Sequence, residues 1–227
     1  QQRLMPLQRE QARLEGEVGR LTSDLSKVKG LVAEARLKLA QSDNSYLPKD
    51  LLKDFSCSVG AELTAENAPT LAAILGRTTI DAGAAAEAAK QLYKRTRPYM
   101  HNDGNICIEK SDALGKSFDY PSGHASLGWT AGLVMAQLAP DRASQVLARG
   151  RSYGESRVVC GVHNMSAIEA GRTNAAGVFA ALQGSSAFVA AMAKAREEVA
   201  AARASGAKPD AAWCAKEAEL IKPLVVE

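Results

Sequence analysis

Three short segments of this chain carry side chains suited to holding a tetrahedral anion and moving a proton beside it. The first is KQLYKRTRP, where Lys90 and Arg97 lie seven apart and return to the same side of a helix after two turns. A guanidinium offers a planar fork to phosphate-like oxygens and an ammonium offers a point charge. The second is Pro121-Ser122-Gly123-His124, between an irregular loop and a helical pattern. A helix start presents free N–H groups to an anion, Gly123 allows close backbone approach, and Ser122 adds a hydroxyl. His124 can move a proton near neutral pH. The third is SRVVCGVH, which supplies Arg157 and a second histidine, His163. Each segment alone has a plainer reading: solvated charges, an ordinary turn with its N-cap, and an arginine on an amphipathic helix that ends in a histidine.

The elements that must position these residues read as helices. The 227-residue chain is rich in alanine, only 5% aromatic and without a convincing strand, so the expected class is all-α. Lysine and arginine number 28 against 25 acidic residues, a net charge of +3, which excludes the global basic field that gathers nucleic acid. No apolar run reaches the ~18 residues of a membrane span. The nearest, Ala175 to Ala193, is broken by Gln183, Gly184, Ser185 and Ser186 and reads as buried helix. The chain begins at Gln1 without a signal peptide, as a processed or a trimmed start would. Residues 1–41 form one expected unit. Leu7, Gln11, Leu14, Val18, Leu21, Leu25, Val28, Val32, Ala35 and Leu39 alternate steps of four and three, the seam of a coiled coil. Two readings stay open, a dimerising coiled coil and an amphipathic helix packed on its own domain, and the weak seam positions Gln11 and Ala35 tilt toward the second. Residues 42–227 form the expected helical domain, with a connector at 42–49. Its helices are expected at Ala65–Leu75, Ile80–Lys94, Ser122–Leu138, from Pro140-Asp141 onward with Asp141 as a candidate N-cap, Met165–Leu182, Ser186–Ala204 and a short last helix carrying Cys214. The helix before Pro98 must stop short of it, because the residue preceding proline avoids helical geometry. The four cysteines, Cys57, Cys107, Cys160 and Cys214, lack metal-ligand spacing, and their count permits either two disulfides or four buried thiols.

Taken together, Lys-x6-Arg-Pro, Pro-Ser-Gly-His and Ser-Arg-x5-His, in this order, resemble the superfamily of phosphatidic acid phosphatases and vanadium haloperoxidases. YPSGHAS at Tyr120–Ser126, Gly128-Trp129 and ESRVVCGVH at Glu155–His163 resemble its bacterial class A non-specific acid phosphatases in particular. The likeness runs over about Ala61 to Ala190 and leaves out the seam helix and the tail after Gly206. It implies metal-independent hydrolysis of phosphomonoesters, with no cofactor. His163 would attack phosphorus, and His124 would protonate the leaving group and then activate water. Lys90, Arg97, Ser122, Gly123 and Arg157 would hold the phosphoryl oxygens. Small phosphomonoesters and inorganic phosphate are the expected ligands, with phosphate transfer to alcohols as a side reaction. The third histidine, His101, reads as a surface residue. The likeness also implies a periplasmic or secreted protein. Cys107 and Cys160, beside the second and third motifs, would then bridge, and Cys57 with Cys214 would tie the tail to the body.

One family position differs. The third motif normally continues His-x3-Asp, and that carboxylate would steady the nucleophile from one helical turn further on. Here it is Ala167. The expectation is impaired activity, either in a natural weak relative or in an alanine replacement of an active enzyme, with Ala167→Asp raising turnover. The alternative function is a degenerate phosphate binder or an assembly module acting through the N-terminal helix. Vanadate-dependent halide oxidation and a membrane lipid phosphatase are the other branches of the superfamily, and the class A text and the lack of a span oppose them.

Overall fold

The computed structural model describes residues 4–223, with side chains from residue 13 onward. Among these residues there is no strand, as expected of an all-α chain. The helices are α1 (Leu4–Ser42), α2 (Pro48–Val59), α3 (Pro69–Tyr93), α4 (Asp112–Lys116), α5 (Gly123–Leu138), α6 (Ala143–Val159), α7 (Met165–Gln183), α8 (Ser186–Ala204) and α9 (Ala211–Leu220). The chain forms two compact units, Gln1–Arg36 and Leu37–Glu227.

In the larger unit α5 is the central helix, against which α3, α6 and α7 pack. Its polar face is small rather than charged, so both sides can be buried: Ser126, Thr130, Ala131, Val134 and Met135 are all inaccessible. Two glycines permit this closeness. A Cβ on Gly128 of α5 would meet the Tyr153 ring of α6 at 2.4 Å. A Cβ on Gly171 of α7 would meet the Ser122 carbonyl at 2.6 Å, so α7 lies directly against the start of α5, where the second motif sits. The main apolar core joins α2, α3, α5, α6 and α8 through Leu52, Phe55, Leu71, Leu75, Val134, Val146 and Met192. Disulfides Cys57–Cys214 and Cys107–Cys160 both form. The first ties α9 to α2. The second fastens the irregular stretch after α3 to the end of α6, beside the third motif.

Several expectations need correction. The patterns at 65–75 and 80–94 are one helix, α3, because Thr78 is buried and bonds its own helix carbonyl at Leu75 rather than breaking it. It ends where proline requires: Lys94 takes a left-handed φ of 47° and Arg97 is extended before Pro98. Helix α2, started by Pro48 and ended by Gly60 at φ 82°, was not expected at all. Asp141 is not an N-cap; it lies in a 3-10 turn, Pro140–Arg142, and pairs with Arg203 at 2.5 Å. The run from Ala175 to Ala193 is two helices meeting at a 98° bend, and most of its residues are not buried. Among the described residues no single helix is long and apolar enough to cross a membrane. Leu14, Val18, Leu21, Leu25, Val28 and Val32 are 47% to 62% exposed.

Candidate active site

The site is built at three element ends, each shaped by its own sequence. Lys90 sits in the last turn of α3 and Arg97 on the extended segment that Pro98 imposes. Ser122 caps α5, its Oγ accepting from the Ala125 N–H at 3.3 Å, so Gly123 and His124 open that helix. Arg157 lies at the end of α6, and the Arg157 carbonyl accepts the N–H groups of Val162 and His163, at 3.1 and 3.3 Å, folding His163 back over the helix end.

Around His163 the groups converge. Its Nδ1 donates to Asp119 Oδ1 at 2.7 Å, and its Nε2 lies 3.0 Å from Arg97 Nη1. Arginine only donates and a carboxylate only accepts, so the ring carries its proton on Nδ1 and presents the Nε2 lone pair toward Arg97. Lys90 Nζ and Arg97 Nη2 both donate to Ser117 Oγ, at 2.9 and 3.2 Å, and Arg97 Nε donates to the Ser117 carbonyl at 2.8 Å. Burial lowers the Lys90 pKa to about 8, with the Arg97 charge adding to the effect. Burial likewise lowers His163 to about 4 against the opposing pull of Asp119, so the ring is neutral at mildly acidic pH.

Asp119 is inaccessible to solvent and held from several sides. Asn164 donates through its backbone N–H at 3.3 Å and its side-chain amide at 2.9 Å, and Arg95 through Nε at 2.8 Å. Burial pushes its pKa up, but the hydrogen bonds from His163 and Asn164 and the Arg95 charge outweigh this and keep it below the usual carboxylate range. The expectation that His163 lacks a carboxylate partner is therefore corrected. Position 167 is alanine, wholly buried, with its carbonyl accepting the Ser122 N–H at 2.9 Å, and the carboxylate arrives instead from the loop before the second motif.

The second group forms around Asn44. His124 Nε2 lies 3.0 Å from the Asn44 carbonyl, and Arg157 Nη1 donates to Asn44 Oδ1 at 2.9 Å. Arg157 Nη2 also donates to the Ala40 carbonyl. Tyr46 meets the His124 ring edge-on, with centroids 5.6 Å apart. Burial lowers the His124 pKa to about 3, with Arg157 the next cause and His163 and Arg97 further ones, so the two groups feel each other's charge. Arg157 thus faces Asn44 rather than the Ser117 cluster, and Ser122 serves as a helix cap. Gly123 has nothing within 4 Å of where a Cβ would stand, so its backbone is uncrowded on that side. His101 is exposed, in contact with Thr96, and outside the site. Among the described residues no cluster could hold a metal ion.

Asp119, Asn44, Ser117 and Arg95 are the residues that sequence reasoning missed. For Asp119 a signal exists: an acidic residue two positions before the second motif, in a chain whose third motif lacks its own.

The profile of the PAP2 superfamily matches residues 71–189. An acid phosphatase of Zymomonas mobilis is 38% identical over 185 residues, 81% of this chain and 70% of that protein. Non-specific acid phosphatases of Salmonella typhimurium and Providencia stuartii are each 36% identical, over 72% and 64% of this chain and 66% and 60% of their own lengths.

Proposed function

The chain belongs to the PAP2 superfamily, and from that premise we propose that it is an acid phosphatase that hydrolyses phosphomonoesters through a phosphohistidine on His163. The observation that carries this reading is the placement of His163 between a buried carboxylate at Nδ1 and a guanidinium at Nε2. Arg97, Lys90 and the Gly123 N–H hold the phosphoryl oxygens, and Arg157 adds positive charge from the side of His124. A phosphoryl oxygen that takes over the Arg97 Nη1 hydrogen now directed at His163 frees the Nε2 lone pair and brings phosphorus next to it. That pair forms the P–N bond as the ester P–O bond breaks, and the proton that the ester monoanion carries at acid pH passes through His124 to the departing alkoxide. His124 then takes a proton from water, whose oxygen attacks phosphorus and returns the electron pair of the P–N bond to His163. Throughout, the donors stabilise charge spread over the equatorial oxygens.

Asp119 acts as the positioning residue. It fixes the Nδ1–H tautomer and stabilises the positive ring while the phosphoryl group is attached. We read Ala167 as a relocation of this carboxylate rather than its loss, and the chain as active. Broad specificity follows from a site whose charged groups all address the phosphoryl group, and an alcohol in place of water would give transfer. The two disulfides support a periplasmic or secreted location. The test is hydrolysis of p-nitrophenyl phosphate at acid pH with rapid quenching. The wild-type chain should turn over and yield an acid-labile phosphohistidine, and His163→Ala should give neither. Turnover in a folded His163→Ala variant would overturn the mechanism.

A further inference from the structure

The strongest unexplained feature lies outside the catalytic unit, on α1. From residue 13 to residue 34 every side chain but that of Glu17 is exposed, the apolar seam included. Leu31, next to the seam, is 66% exposed. Such a helix has little to hold it alone. Gly16, Gly19 and Gly30 each weaken it, and its exposed pairs Arg13–Glu17 and Asp24–Lys27 add little. Isolated helices in water are marginal without a buried face.

The three glycines obey the seam. With Leu14, Leu21 and Val28 at the d positions and Val18, Leu25 and Val32 at the a positions, Gly16 and Gly30 fall at f and Gly19 at b. All three lie on the outer surface, where a missing side chain takes nothing from a helix pair. The seam itself is apolar at all six positions from 14 to 32, about 27 Å of helix. Val18 and Val32 at a with Leu14 and Leu21 at d follow the pattern favoured by two-stranded parallel coils, and Leu25 at a with Val28 at d is the one step that reverses it. In that arrangement Asp24 at g faces Lys29 at e of a second copy. The remaining g-to-e pairs that begin in this stretch, Glu17 with Thr22 and Leu31 with Arg36, set no like charges together.

We propose that α1 is a self-association element: it pairs in parallel with α1 of a second copy of this chain, making the enzyme a dimer. Burying the seam supplies the stabilisation that the lone helix lacks. The closing experiment is sedimentation equilibrium of the full chain at micromolar concentrations, alongside p-nitrophenyl phosphate hydrolysis. The expected mass is twice 24.0 kDa. Leu21→Asp with Val28→Asp should return it to a monomer while turnover is unchanged. Gly30→Ala, on the outer face, should tighten the dimer about fivefold or more. A wild-type chain that stays monomeric, or a dimer indifferent to the seam variants, would overturn the proposal. Neither outcome touches the phosphatase reading, which the hydrolysis assay reports separately.

Discussion

The two buried histidines of the candidate site are held in opposite ways. His163 leans on a buried carboxylate and His124 on a backbone carbonyl beside an arginine. Both rings are pushed toward neutrality by burial, to about 4 for His163 and about 3 for His124. The difference lies in what each environment does once the ring becomes charged. Asp119 offsets a positive His163, the state that would carry a phosphoryl group in the proposed mechanism. Arg157 and Arg97 oppose a positive His124, so that ring gives up a proton readily. A nucleophile must be stabilised as a cation, whereas an acid must be willing to stop being one.

The largest effect expected from breaking this contrast is at Asp119. Asp119→Ala should lower kcat by about 10³ or more, on the scale set by defective orienting aspartates in serine hydrolases. KM should change little, because phosphate is held by other groups and the lost interaction matters mainly in the transition state. A pH profile separates orientation from collapse. His163 must be neutral to attack, so kcat/KM of the wild-type chain should fall as pH drops through about 4. Asp119 raises the pKa of His163, so in Asp119→Asn this acid limb should move lower while the maximum rate falls. An unchanged limb with an unchanged rate would remove Asp119 from the mechanism.

Position 167 is the next test. With no carboxylate at His163, Ala167→Asp would be expected to raise turnover. With Asp119 present, the same change puts a second carboxylate into a wholly buried position whose backbone N–H donates to Asn164, itself a donor to Asp119. Like charges there raise a carboxylate pKa and unsettle the Ser122–Ala167 contact. The single variant should lose about tenfold in kcat, the equivalent of about one pKa unit of disturbance at His163. The pair Asp119→Ala with Ala167→Asp should recover activity relative to Asp119→Ala alone. Steady-state kinetics on the four chains gives the coupling directly.

On the His124 side the expected signature is reversed. Asn44→Ala removes the side-chain acceptor of Arg157 but leaves the backbone carbonyl that His124 contacts. Inorganic phosphate should bind about tenfold more weakly, the loss expected for a hydrogen bond to a charged group, with kcat nearly unchanged. A fall in kcat with phosphate affinity intact would mean that Asn44 serves His124 rather than Arg157.

The same split separates what was legible in the sequence from what was not. Lys90, Arg97, His124, Arg157 and His163 announce themselves because a fixed spacing across one helix end survives in the linear text, although Arg97 lies on an extended segment and not two turns along the helix of Lys90 as its spacing suggested. The two disulfides came with the family resemblance, which set Cys107 with Cys160 beside those motifs and left Cys57 to Cys214. Asp119 and Asn44 meet the histidines across 44 and 80 residues of chain, and each reads locally as a loop residue. Their roles exist only once α7 has closed on α5 and the turn after α1 has folded over α6. Helix α2 was hidden for a different reason, since Pro48 reads as a break while serving as a helix start. Arg149 is a third case. An arginine within a helix reads as surface, yet this one has no accessible side chain and is bound by Asp43 at 2.6 Å and Glu217 at 3.1 Å, with Asp54 at 3.9 Å.

That buried cluster gives the smallest expected effect, on stability rather than rate. Three carboxylates share one guanidinium, so the cluster is over-supplied with negative charge. Burial first, and then Asp43 and Glu217 against the opposing pull of Arg149, raise the Asp54 pKa from 3.8 to about 7. The folded state therefore holds a proton that the unfolded chain releases. Stability from this source is fully present below pH 3.8 and disappears as pH rises through about 7. The two histidines act in the other direction, since their folded pKa values are depressed and they favour the folded state above their unfolded value of 6.5. Asp54→Asn isolates the carboxylate. Its Tm should match the wild type near pH 4 and exceed it increasingly up to pH 7, by roughly 2–4 °C for each 1 kcal/mol recovered. Beyond that pH the gap should stay level, because Asp54 is then ionised in both states. A gap that is constant from pH 4 to pH 8 would show that Asp54 keeps its charge in the folded protein and that Arg149 alone satisfies the cluster.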